Sequence, residues 1–123
     1  MQKNGDRLLF SASDLVAFLE CEHLTTLDLI NLDDPLPQAE EDEQLELIQQ
    51  KGLDHERAYL ERLRASGRRI VDVSDAGDGL AARLARTREA MADGADVIYQ
   101  AAFRHDRYIG HADFLQKTAR PSR

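Results

Sequence analysis

Tyr108-Ile109-Gly110-His111-Ala112-Asp113-Phe114-Leu115, read with the run Val97 to Phe103 just before it, decides the fold. Both runs are apolar and β-forming, and His105-Asp106 between them reads as a turn, so the spacing predicts two strands that return on each other. Alternation sets His111 and Asp113 on one face with Ile109 and Leu115. An aspartate flanked by apolar residues is depleted in strands. Gly110 removes a side chain at a place where another element or a substrate backbone can approach. The plainer alternative is an edge strand whose polar face is wet.

Working outward toward the N-terminus, Leu80, Leu84, Thr87 and Met91 mark an amphipathic helix ended by Gly94. Asp75-Ala76-Gly77-Asp78-Gly79 is a loop, and Arg68 to Val73 reads as a strand after a stop at Gly67. The longest helical pattern runs from about Glu40 to Ala65. At ~100° per residue, Leu45, Ile48, Gly52, Tyr59 and Leu63 fall within about 60° of one line, and Glu56 falls there as well. The acids Glu40-Glu41-Asp42-Glu43 suit the first turn of that helix, where negative charge favours the macrodipole. Leu32-Asp33-Asp34-Pro35-Leu36-Pro37 is a loop, because prolines cannot continue a helix. Before it, Ser11 and Asp14 have capping-box spacing, with Ser13 as the competing cap. Leu15, Phe18 and Leu19 follow at helical period, which slips near Cys21-Glu22-His23 and resumes at Leu24 and Leu27. Two short helices, or one bent there, are expected. The tail 118–123 is polar and without pattern.

The fold class is therefore α/β: N-terminal helices plus a small mixed or antiparallel sheet, with the 40–65 helix against it. With 123 residues the chain is expected to form a single domain, 1–123. Hydrophobic residues at 42% and charged residues at 32% describe a globular chain. No apolar run approaches the ~18 residues that span a bilayer, and Leu8-Leu9-Phe10 is too short for a secretory core. A cytoplasmic protein with no membrane partner is the expectation. A lone cysteine, Cys21, can make no internal disulfide. The net charge of −7 disfavours nucleic acid as a whole, but residues 1–60 carry a balance of −10 and residues 61–123 one of +3. Fields act locally, so the second half suits phosphates where the first does not.

Three groups carry candidate chemistry. Glu56 lies on the apolar line of its helix beside His55, and a carboxylate there needs a partner or a metal. The plain alternative is a partly exposed salt bridge, for example to Arg68 or Arg69. Asp113 and His111 share a strand face. Cys21 precedes His23, although a helix cysteine is usually a small buried apolar group. There is no phosphate-binding glycine loop and no nucleophile elbow. An acid on a helix and an acid on a strand can share one Mg²⁺, and hydrolysis at such a site also needs a lysine or equivalent group.

These residues resemble the N-terminal part of RecB-like nucleases of the PD-(D/E)XK superfamily, related to the CRISPR-associated RecB-like exonucleases. The matching stretches are Ser11 to Leu24, Lys51 to Glu56, Gly94 to Gln100 and Gly110 to Leu115, in the expected order. The resemblance implies a partial restriction-endonuclease-like core and a hydrolase that cuts DNA with Mg²⁺ or Mn²⁺, acting on single strands or ends. It implies His55 and Asp113 as metal ligands, with Glu56 and Asp113 as catalytic acids. Ala112 stands where the motif has proline. Cys21 resembles the first of four cysteines that hold a [4Fe-4S] cluster in iron–sulfur members, the other three lying downstream. Longer relatives can carry a helicase region. The (D/E)-x-K strand that normally follows Asp113 is missing: Lys117 has Leu115, not an acid, two residues before it. A truncated nuclease, inactive alone and with an exposed sheet edge, is the expectation. The alternative is a non-catalytic DNA- or protein-binding module that keeps the fold.

Overall fold

The structure, a computed structural model, describes residues 1–37, 42–75, 77 and 79–120. Among the described residues it is mixed α/β, with four helices and two small sheets. Two compact units divide the chain: Met1–Glu40 with Phe103–Gly110, and Glu41–Ala102 with His111–Arg123.

In the first unit, β1 (Gln2–Asn4) and β2 (Arg7–Leu9) form an antiparallel hairpin around Gly5, whose φ of 60° suits a tight turn. Gln2-Lys3-Asn4 is polar and Leu8-Leu9 does not alternate with polar residues, so nothing in the pattern announces the pair. Helix α1 (Ala12–Glu20) starts at Ser11, which wins over Ser13 because the box closes. The Asp14 N–H donates to Ser11 Oγ at 3.3 Å, while the Ser11 N–H and hydroxyl donate to Asp14 Oδ2 at 2.6 and 2.8 Å. The helix breaks at Cys21, which is extended at φ −161°, and α2 (Glu22–Asn31) follows. Two short helices are thus what the slipping period meant. Cys21 is exposed, not a buried apolar filler: its N–H closes α1 on Ala17 O at 2.9 Å and its carbonyl accepts from the Leu24 N–H at 3.0 Å, while its side chain is left at the surface of the break.

Asp14 makes the first unit pH-sensitive. Burial by itself would raise its carboxyl, but the Met1 ammonium at 2.6 Å and the Ser11 donors outweigh burial and hold it below its ordinary value. A depressed folded value adds stability above the unfolded one and loses it as pH falls through the folded one. The start of α1 is therefore expected to persist as pH drops to about 4 and to open only below it. Carbon-13 titration of the Asp14 carboxyl checks this; a midpoint at or above that of an unfolded aspartate would contradict it.

In the second unit, α3 (Glu43–Ala65) is capped by Asp42, whose carboxylate accepts from the Gln44 N–H at 2.9 Å. Glu40 and Glu41 of the acidic run lie outside the described residues, as do Ala76 and Asp78 of the loop and the last three residues of the tail. Ser66 and then Gly67, at φ 75°, end the helix. The apolar line of α3 is buried only toward its C-terminal end, at Leu63, beside Leu60 just off the line; Leu45 and Ile48 are exposed.

Strand β3 (Ile70–Asp72) pairs in parallel with β4 (Val97–His105), Ile70 opposite Val97. Helix α4 (Leu80–Ala92) is the crossover that parallel pairing requires. It ends at Asp93, followed by Gly94 at φ 72°. Strand β5 (Tyr108–Gln116) completes the sheet order β3-β4-β5, so the sheet is mixed. The turn between β4 and β5 is Asp106-Arg107, one residue later than the pattern placed it, because Asp106 adopts the left-handed φ of 52°. An added Cβ at Gly110 meets nothing within 4 Å, so no described element uses the space expected there.

The core packs Val73, Ala90, Ala95, Ile98 and Ala101, flanked by Val71, Ala112 and Leu115. Thr87 is buried but satisfied: its hydroxyl donates to Arg83 O at 2.9 Å and accepts from the Ala102 N–H at 3.0 Å. The second of these bonds ties α4 to β4; the first stays within α4.

Candidate functional site

Glu56, His55 and Asp113 line one open pocket in the second unit, with Gln49, Gly52, Leu53, Tyr59 and Phe114. Helix α3 supplies Glu56 and β5 supplies Asp113. Their mutual position is fixed by aromatic packing: the Tyr59 ring meets Phe114 edge-on at 4.8 Å, and Tyr99 lies 5.3 Å from Phe114. The Gln116 amide adds a bond to the Tyr59 hydroxyl at 2.8 Å.

Neither arginine that could neutralise Glu56 does so. Arg68 donates to the Gln116 side chain at 2.9 Å, and Arg69 donates to Asp93 O and, through its backbone, to Asp96. Glu56 Oε1 instead accepts from the Tyr99 hydroxyl at 2.5 Å and from Gln100 Nε2 at 2.8 Å. The same Gln100 nitrogen lies 3.3 Å from Asp113 Oδ1. One amide thus spans the two acids. Donating to the Glu56 carboxylate pushes the Tyr99 phenol above its ordinary value, with burial and the Glu56 charge adding to the effect.

Neighbouring side chains of a regular strand point to opposite faces, so Tyr99 and Gln100 could not both reach one oxygen on an undistorted β4. Gln100 has φ 57°, the only non-glycine residue with positive φ inside a described strand. That left-handed residue interrupts the pleat and brings two successive side chains to Glu56, in the manner of a β-bulge. Sequence reasoning assigned no role to Tyr99 or Gln100. The available signal was two polar groups set between Val97-Ile98 and Ala101-Ala102 in an otherwise apolar strand.

The structure therefore brings His55, Glu56 and Asp113 to one pocket and leaves His111 exposed on β5. Glu56 and Asp113 offer oxygen ligands, and His55 offers an imidazole. Among the described residues no group of three His, Cys, Asp or Glu side chains is gathered closely enough to hold a metal ion by itself. Cys21 belongs to the other unit. No described helix is long and apolar enough to cross a membrane. No family model, no curated protein and no solved structure matches the chain.

Proposed function

We propose that this chain carries the first half of the metal site of a RecB-like nuclease of the PD-(D/E)XK type, with DNA as its substrate. The observation that carries the reading is the single amide shared by Glu56 and Asp113, 2.8 and 3.3 Å away. Two acids with no cationic side chain as partner among the described residues, directed at one donor, are a fitting oxygen set for Mg²⁺ or Mn²⁺, which take one or two carboxylates and fill the remaining positions with water. Bound there, the ion would stabilise charge on a phosphodiester and activate a water. Glu56 and Asp113 would hold it, His55 would lie beside them, and Tyr99 would fix the Glu56 carboxylate through its hydroxyl. The +3 balance of residues 61–123 supports phosphate as the substrate group. A (D/E)-x-K pair is absent from residues 114–123, so the reading assigns no second acid or lysine to this site. Cys21 would join a [4Fe-4S] cluster only with three thiolates that this chain lacks, and a helicase region would likewise lie outside it.

Mn²⁺ at a hundredfold excess over its dissociation constant is expected to raise the melting temperature by roughly 10 °C. Glu56→Gln should remove most of that rise. Equal shifts in both proteins, or none in either, would sink the reading; DNA binding without any cation effect would point to a non-catalytic binding module instead.

A further inference from the structure

We infer that Gln100 is a positioning residue of this site: its amide holds Glu56 and Asp113 together without the ion, then turns to present its oxygen when the ion arrives. The inference rests on the proposed metal reading and goes beyond it, because it names a residue that an acid-and-histidine pattern leaves out.

Three observations converge on it. The first is position. Gln100 Nε2 bonds Glu56 Oε1 at 2.8 Å and lies 3.3 Å from Asp113 Oδ1. An ion held by both acids would compete with that amide nitrogen for the same two oxygens. The second is chemistry. Two carboxylates facing each other repel, and one NH₂ carries two donors, one for each acid. With an ion between the acids those N–H groups would face a positive charge, whereas the carbonyl end of the same amide is a suitable hard ligand. Rotation about the last side-chain bond exchanges the two ends without moving the backbone. The third is the backbone itself. Gln100 sits at φ 57° in mid-strand, a conformation that is strained for a non-glycine residue. The only other non-glycine residue with positive φ among those described, Asp106, lies in a turn, where it is ordinary.

Gln100→Gly is the informative deletion, since glycine adopts positive φ freely and the strand keeps its bulge. Gln100→Glu is the rescue: it keeps the length and an oxygen but cannot donate. Mn²⁺ affinity is measured calorimetrically on both variants and on the unaltered chain, with melting temperatures taken without the ion. Gln100→Gly is expected to bind Mn²⁺ about tenfold more weakly. Gln100→Glu should recover the affinity while melting lower than the unaltered chain when no ion is present. In a parallel NMR titration with Mg²⁺, the Gln100 side-chain NH₂ signals should move away from their hydrogen-bonded positions at saturation.

An unaltered chain that binds no Mn²⁺ defeats the metal reading and this inference with it. Normal binding by the unaltered chain, with equal or tighter binding by Gln100→Gly, defeats the inference alone. Stationary NH₂ signals at Mg²⁺ saturation do the same, as they would mean the amide is only a structural tie.

Discussion

Asp113→Ala, placed in a form of the protein that carries an acid-x-lysine strand after residue 113, is expected to cut DNA about a thousandfold more slowly with Mg²⁺. A bound divalent ion supplies several kcal/mol of charge stabilisation, and each 1.36 kcal/mol is a factor of ten in rate. In the proposed reading, removing one of the two carboxylates Glu56 and Asp113 would take away most of the grip on such an ion. Stability should change little, because Asp113 is exposed and its one described side-chain bond is the 3.3 Å contact with Gln100. The pairing of lost cleavage with an unchanged melting temperature separates a ligand from a structural acid. Cleavage at the unaltered rate would remove Asp113 from the site.

The second large effect lies in the core under that site. Ile98 is 2% exposed and is one of only two large residues in a cluster otherwise built from Ala90, Ala95 and Ala101. Alanine at that position leaves a void beside three side chains too small to close it. Urea denaturation of Ile98→Ala is expected to show a loss of about 2–5 kcal/mol, a large share of a small domain's stability. Ion binding should weaken as well, since Tyr99 and Gln100 follow directly on the same strand. A loss under about 1 kcal/mol would mean that Ile98 does not lie in a close-packed core.

The elements that could be read from the chain are those with local signals. Ser11 and Asp14 mark the start of α1, Cys21 the break before α2, and Gly67 and Gly94 the ends of α3 and α4, each through a cap or a glycine conformation. The β4–β5 pair was legible because both strands are apolar and a short polar turn joins them. The hairpin of β1 and β2 was not, since Gln2-Lys3-Asn4 has no apolar alternation to read. Nor was the parallel pairing of β3 with β4, which depends on contacts spanning the whole of α4. Periodicity found that Glu56 stands among apolar residues and so needs a partner or a metal, but it could not name the partner: Arg68 and Arg69, examples of a plain salt bridge, bond elsewhere. What answers the carboxylate is a pair of neutral donors made adjacent by a left-handed glutamine, and a non-glycine residue at positive φ leaves no mark in composition or period. The apolar line of α3 misled for a related reason: Leu45 and Ile48 keep the period of a buried face while remaining exposed.

The most direct measurement is a calorimetric titration of the chain with Mn²⁺, run beside Asp113→Asn. One ion per chain, with most of the affinity lost in Asp113→Asn, is the expected result. Absence of binding to the unaltered chain, or equal binding by both proteins, would contradict a metal site built on Glu56 and Asp113.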